Sequence, residues 1–446
     1  MKIYNTLGHK VEEFEPINPP HVGLYTCGMT VYDYAHIGHG RKYVNDDILK
    51  RVLTQNGYLV KHVQNVTDVG HLVSDADEGE DKLEKGARKV GKTVWEVAEF
   101  YADHFYKSMD LLNIIRPNVI CKATEHIPEQ IELVKRLLEK GFAYDTEEAV
   151  YFDIAKFKNY GDLSGQKVAD KKVAVREKVE QGLHKKNPAD FALWFKRVGR
   201  FSDHIMHWDS PWGDGFPGWH IECSAMSMKY LGETFDIHTG GIDHVMVHHP
   251  NEIAQSEAAT GKKFVNYWMH CNFLMVEGQK MSKSLGNIFT VQDIIEKGFD
   301  PLALRYLYLQ THYRQEMNFT WDALKAAESA LNKLRKHFSG LSDEGEINEE
   351  FKAKFMEAVN DDLNTSKALA LVWENLDSLN KNSLRIIDEV LGLEISKHKE
   401  VETEMPEEVQ KLLDEREILR KDKKFAEADK IREKILEMGY RVEDKN

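Results

Sequence analysis

The sequence predicts an α/β fold: a parallel sheet divided by an insertion, then an all-α helix bundle and a small helical tail. Three observations lead there. Strand and helix patterns alternate over residues 1–115 and again over 201–300, an order that favours parallel strands joined by crossover helices. Between 116 and 200 hairpin signals give way to a Lys-rich, loop-prone stretch. Beyond about residue 300 every periodic segment is helical.

In order, residues 22–27 (Val-Gly-Leu-Tyr-Thr-Cys) are a short buried strand that stops at Gly28. The amphipathic stretch 40–55 is a helix closed by Asn56-Gly57, a stop signal. Residues 60–66 alternate as a strand, and 94–112 have helical spacing. Ligands of parallel sheets sit beyond the carboxyl ends of the strands, so the end of the first strand is where chemistry is expected. A helix over 128–140, a hairpin-like segment at 149–154 and a loop-prone run at 156–186 fill an insertion over 116–200. The sheet pattern resumes near Gly218 with a helix to Leu231, a strand over 234–239, another helix and a strand over 264–276. Residues 301–400 are expected to form the bundle, with 341–348 as a linker, and 401–446 a separate charged tail after Met405-Pro406.

Composition narrows the function class. The chain has 446 residues, 42% apolar and 30% charged, which removes collagen-like and largely disordered readings. Its net charge of −14 argues against a generic basic nucleic-acid coat, although phosphate binding depends on where cations sit. Four scattered cysteines make no disulfide scaffold and fit a reducing compartment. The first ten residues lack a signal-peptide core, and no run approaches 18 apolar residues. A cytoplasmic protein without membrane contact is expected.

Two motifs carry chemistry. The first is Cys27-Gly-Met-Thr-Val-Tyr-Asp-Tyr-Ala-His36-Ile-Gly-His39-Gly-Arg41. Two imidazoles just ahead of a helix N-terminus suit a phosphate, because free backbone N–H groups and partial positive charge converge there. Taken alone, two histidines capping a helix describe it better. The second is Lys280-Met-Ser-Lys283-Ser-Leu-Gly-Asn287, a mobile cationic loop fit to balance charge on a departing pyrophosphate. Alone, it is more simply a solvated turn.

Together the motifs, some 240 residues apart, resemble the paired signature of class I aminoacyl-tRNA synthetases. Tyr25-Thr-Cys-Gly, Gly218-Trp-His-Ile-Glu-Cys-Ser-Ala-Met226, Phe235-Asp-Ile-His-Thr-Gly-Gly-Ile-Asp243 and His248-His-Pro-Asn-Glu-Ile-Ala-Gln-Ser256 extend the likeness to the cysteinyl-tRNA synthetases. Phe425-Ala-Glu-Ala-Asp-Lys-Ile-Arg432 adds to it near the end. The resemblance implies a Rossmann-like parallel-sheet catalytic domain split by a connective insertion. It also implies ATP-dependent activation of L-cysteine and transfer to the 3′ end of tRNA-Cys by a monomer, with magnesium accompanying ATP. His36, His39, Lys280 and Lys283 become catalytic residues, joined at the ATP site by Gly38, Gly241, Asp243 and Ser282. Thr67, Trp219 and His238 become contacts to the amino acid.

A metal set can be sought in the residues. Cys27 ends a strand, Cys223 falls in a helix, and His248 and Glu252 are spaced i, i+4. Pro250 suits a first helical turn and Gly261 a stop, so His248 and Glu252 should share one face near the helix start. Two thiolates, an imidazole and a carboxylate suit tetrahedral zinc, but scattered cysteines equally describe ordinary burial. The resemblance carries all four positions over as ligands of one zinc ion. Thiolate-rich zinc prefers a substrate thiol to a serine hydroxyl, which makes discrimination possible without an editing module.

Some positions depart from the family pattern. Met29 follows Cys27-Gly28 where proline is usual, Thr239 follows His238 where glycine is usual, and Pro250 replaces a glutamate. The stretch after Thr67-Asp68 also differs. RNA contact falls to the tail, where residues 411–446 hold 11 Lys/Arg against 10 Asp/Glu and Lys421, Lys423, Lys424, Lys430 and Arg432 could face phosphates. Two other functions compete: a cysteine-activating ligase with an amino-sugar acceptor, which needs no anticodon-binding end, and a non-catalytic RNA-binding paralogue, in which the signature motifs would have decayed.

Overall fold

The computed structural model describes residues 1–69, 72–74, 78–165, 184–343, 345–397, 407–421 and 424–437. Expectations about Lys423, Met405-Pro406, part of the Lys-rich run and part of the stretch after Asp68 therefore lie outside the described residues. The chain divides into two compact units, Met1–Ser396 and Lys397–Asn446.

At the centre of the first unit lies a five-stranded, all-parallel sheet. Its strands run in the order Val265–Cys271, Phe235–Gly241, His21–Thr26, Leu59–Val66 and Val119–Lys122. From His21–Thr26 the chain first builds outward on one side, then returns to build the other. The strand order thus reverses between His21–Thr26 and Phe235–Gly241, the crevice where α/β sheets bind ligands. The helix Ile37–Gln55 leaves the first strand and ends at Asn56, and Val94–Leu111 packs alongside with a Thr93/Glu96 capping box.

An antiparallel sheet of Ala143–Asp145, Ala149–Phe152, Phe191–Lys196 and Gly215–Pro217 forms the insertion. Its last strand lies past residue 200, so the main sheet resumes only with the helix Trp219–Leu231. The expected single strand over 264–276 is two strands. The ladder stops at Cys271 because the buried Arg41 guanidinium takes the carbonyls of Asn272 (3.0 Å) and Phe273 (2.6 Å). Leu274–Val276 then pairs in parallel with Met317–Phe319, a three-residue strand inside the region expected to be wholly helical. The same guanidinium reaches the carbonyls of His312 and Gln315, tying the helix of the first motif to the chain beyond the second.

Helices Pro301–Leu309, Trp321–Gly340, Glu349–Asn360, Thr365–Asn375 and Lys381–Leu391 make the bundle. Its apolar faces join the same buried cluster as the sheet, through Leu304, Leu331 and Leu384 beside Leu24 and Ile48. Arg305 bolts the two together: fully buried, it pairs with Asp47 at 2.5 Å and donates to the carbonyls of Leu391 and Leu112. Removing it leaves Asp47 paired with Arg51 at 2.7 Å but orphans the buried carbonyls of Leu391 and Leu112, at about 1–3 kcal/mol per unsatisfied group. Denaturant unfolding of Arg305→Met should show a loss of that size; a loss below about 1 kcal/mol would contradict it.

In the second unit, helices Glu407–Lys421 and Phe425–Glu437 pack on one another, with Val409, Ala428 and Ile435 buried. Among the described residues no helix is long and apolar enough to cross a membrane.

Candidate active site and metal centre

A cavity of about 790 Å³ opens at the sheet crevice, large enough for a nucleotide with an aminoacyl group. Cys27, His36, His39, Trp219, Asp243, Lys280 and Lys283 all line it. The two motifs therefore meet. His36 caps the helix Ile37–Gln55 and His39 stands at its third position. Each ring accepts the other residue's backbone N–H on Nδ1 at 3.2 Å, and the rings stack 3.6 Å apart. The capping and the phosphate-binding readings are thus one geometry: with Nδ1 an acceptor, each neutral ring keeps its proton on Nε2. Burial pushes His36 down to about 4 and His39 well below its ordinary value, so both are neutral donors at pH 7.

Gly38, between them, packs against the lysine loop. A Cβ there would lie 2.6 Å from the Met281 methyl of the lysine loop. Backbone contacts join the motifs as well: Ile37 N–H donates to the Phe289 carbonyl at 2.8 Å, and His36 bridges to Thr290. Lys283 pairs with Asp33 across the mouth. Ser282 is absent from the lining. Its hydroxyl accepts from Leu285 N–H and its own N–H donates to Asn287, so it shapes the loop.

Behind the cavity, Cys27, Cys223, His248 and Glu252 converge, with one ligand atom of each within 4.8 Å of the others. Each element delivers one or two of them. Cys27 follows the strand His21–Thr26, Cys223 lies on Trp219–Leu231, and His248 and Glu252 share a face of His248–Thr260, with Nε2 to Oε1 3.0 Å. Gly28 fixes the approach of Cys27, since a Cβ there would lie 1.6 Å from the Asn65 carbonyl oxygen. All four side chains are buried. Burial pushes both thiols up. Burial works against charge on the other two as well, yet Glu252 and Cys223 lift His248 to about 10, while His238 and His248 hold Glu252 at about 2. Two soft sulfurs, one imidazole and one carboxylate in a dry pocket fit a tetrahedral cation site, because only a cation would make those thiols ionise there.

The contacts expected for the amino acid divide. Trp219 lines the cavity and stacks on His248 at 4.2 Å, so it stands between cavity and metal set. Thr67 and His238 are not in the lining. Thr67 accepts from Asn65 Nδ2 and its N–H donates to Met29 O, which braces the chain after Cys27. His238 lies fully buried behind Glu252, with Nε2 3.0 Å from Oε2. Lys42, Asp33 and His244 line the cavity without having been singled out. Lys42 Nζ donates to the Cys27 carbonyl at 2.7 Å and pairs with Asp46 at 2.8 Å. Asp33 stood inside the first motif, and His244 directly after Asp243.

Burial also pushes His244 down to about 4. A histidine held below its unfolded value contributes stability that is present above pH 6.5 and lost as pH falls toward 4, where the unfolded chain binds more protons. The thermal midpoint should therefore drop between pH 6.5 and 4.5; a flat midpoint across that window would exclude this contribution.

Comparison with known proteins follows the same lines. Residues 13–329 match the class I (C) tRNA synthetase catalytic domain, 354–415 the DALR domain, and 402–446 the cysteinyl-tRNA ligase anticodon binding domain. Cysteine–tRNA ligase 1 of Burkholderia lata is 47% identical, covering 100% of this chain and 95% of the relative. The Thermus thermophilus cysteine–tRNA ligase is 42% identical, covering 99% and 97%. Two solved structures share the fold. Mycobacterium tuberculosis methionyl-tRNA synthetase with methionyl-adenylate aligns at TM-score 0.56 and 16% identity, over 90% of this chain and 85% of that one. Agrobacterium radiobacter LeuRS, in a ternary complex with tRNA-LeuAMS, aligns at TM-score 0.58 and 13% identity, over 85% and 84%. With full-length relatives and a matched catalytic domain alike, the chain belongs to the cysteinyl-tRNA ligases, a family of class I aminoacyl-tRNA synthetases.

Proposed function

We propose that this chain activates L-cysteine with ATP and transfers it to tRNA-Cys, selecting the amino acid through a single zinc ion. The observation that carries the reading is the meeting of both signature motifs around one cavity, with the buried Cys/His/Glu set against its floor. A cysteine carboxylate oxygen attacks the ATP α-phosphorus, the bond to the β-phosphate breaks, and pyrophosphate leaves. The 3′-terminal ribose hydroxyl of tRNA then attacks the carbonyl and AMP departs.

His36 and His39 donate through Nε2–H to the reacting phosphate. Lys280 and Lys283 stabilise the leaving pyrophosphate, whose magnesium arrives with ATP. Gly241 and Asp243 hold the ribose, and Ser282 keeps the loop in shape. Catalysis of this kind is positioning plus charge stabilisation. Cys27, Cys223, His248 and Glu252 would hold the zinc, which would favour a substrate thiol over a serine hydroxyl. Trp219 packs beside it as the wall of the amino-acid pocket. The tail over 401–446 engages the anticodon end, and the enzyme works as a cytoplasmic monomer.

ATP–pyrophosphate exchange with cysteine and with serine, followed by transfer to tRNA-Cys, tests the reading. Cysteine-dependent exchange and charging are expected. Exchange without transfer would favour an amino-sugar acceptor, and no exchange would favour an RNA-binding paralogue.

A further inference from the structure

Three of the four metal-facing side chains have a histidine directly behind them. His220 Nδ1 lies 2.8 Å from His248 Nδ1, His238 Nε2 lies 3.0 Å from Glu252 Oε2, and His249 Nε2 lies 3.4 Å from Cys27 Sγ. All three rings are buried. The last contact continues inward: His249 Nδ1 is 2.7 Å from His270 Nε2, and His270 Nδ1 is 2.8 Å from the Thr6 hydroxyl.

The direction of each bond follows from what its partner can do. A metal-bound thiolate only accepts, so His249 carries its proton on Nε2. Its Nδ1 then accepts from His270 Nε2–H, and His270 Nδ1 accepts from Thr6. The Glu252 carboxylate accepts from His238 in the same way. A His248 that binds through Nε2 keeps its proton on Nδ1 and donates it to His220. Each ring is thereby held in one tautomer and one orientation.

We propose that His238 and His249, the latter through a relay ending at Thr6, are positioning residues that set metal affinity and sulfur donor strength without touching the metal. This rests on the zinc reading above. A second grouping, Cys27 with His238, His249 and Glu252, also lies within 4.8 Å. It competes as the binding set itself, but it offers one sulfur where the first set offers two, and thiolate-rich donors are what a structural zinc favours.

Zinc affinity measured by competition with a chromophoric chelator, on the full chain, separates these. His238→Phe and His249→Phe should each weaken zinc binding by about 10–100-fold, and His249→Gln, which keeps an N–H donor, should recover part of the loss. Thr6→Val, a mild change at the far end, should shift the sulfur-to-metal absorption band of the Co2+-loaded chain. Unchanged affinity in the phenylalanine variants, equal loss in Phe and Gln variants, or an unmoved band in Thr6→Val would overturn the proposal. So would His248→Phe retaining full affinity, since the metal would then sit in the second grouping. Should the unchanged chain take up no zinc, the zinc reading falls first and this proposal with it.

Discussion

Lys283→Ala lowers ATP–pyrophosphate exchange by about 10²–10³-fold, the usual effect of removing one donor aimed at developing charge. The side chain reaches the cavity from a turn held by the Ser282 cap; it is largely exposed, and among the described residues it pairs with Asp33 and lies over the Tyr32 ring. Zinc content and thermal midpoint should accordingly stay as they were. The comparison is informative because Lys283 lines the cavity without belonging to the converging metal set. Exchange at the unchanged rate in the variant would remove Lys283 from the chemistry, and a parallel loss of zinc would mean that the substitution acts through the fold.

Cys223→Ser should show the second large effect. It removes one sulfur from the converging set and leaves the helix Trp219–Leu231 otherwise intact. Zinc content should fall, cysteine-dependent exchange should collapse, and the preference for cysteine over serine should drop from about 10⁴ or more toward about 10², the level that shape alone supplies between near-isosteres. Measuring exchange with both amino acids, before and after zinc is restored, checks it. A variant that keeps full zinc and full selectivity would show that the four residues are a buried cluster and no ligand set.

The parts of the site legible in the sequence were those built from contiguous residues. His36 to Arg41 and Lys280 to Asn287 announce their turns and helix starts directly, and Pro250 with Gly261 frames the helix that aligns His248 and Glu252. What the sequence hid depends on register and on distant partners. Whether His238 faces the cavity or the helix behind it is a matter of strand parity, and a one-residue choice reverses the answer. Thr67, assigned to the substrate by resemblance, has a hydroxyl that accepts from Asn65, a contact no local pattern shows. The break at Asn272 is invisible locally, since its cause is the guanidinium of Arg41, 231 positions earlier. Met317–Phe319 is too short for any periodicity to register.

The order of strands has a consequence for synthesis on the ribosome. His21–Thr26 occupies the middle of the sheet, yet one of its two neighbours, Phe235–Gly241, is made more than two hundred residues later. Cys27 precedes Glu252 by 225 positions, an interval of about 10–45 s at ordinary elongation rates. Throughout that time the strand offers an open backbone edge and an unshielded thiol to its surroundings. The nascent chain is at its most vulnerable to oxidation and mispairing while the insertion is being translated, and completing the cluster is also what closes that window.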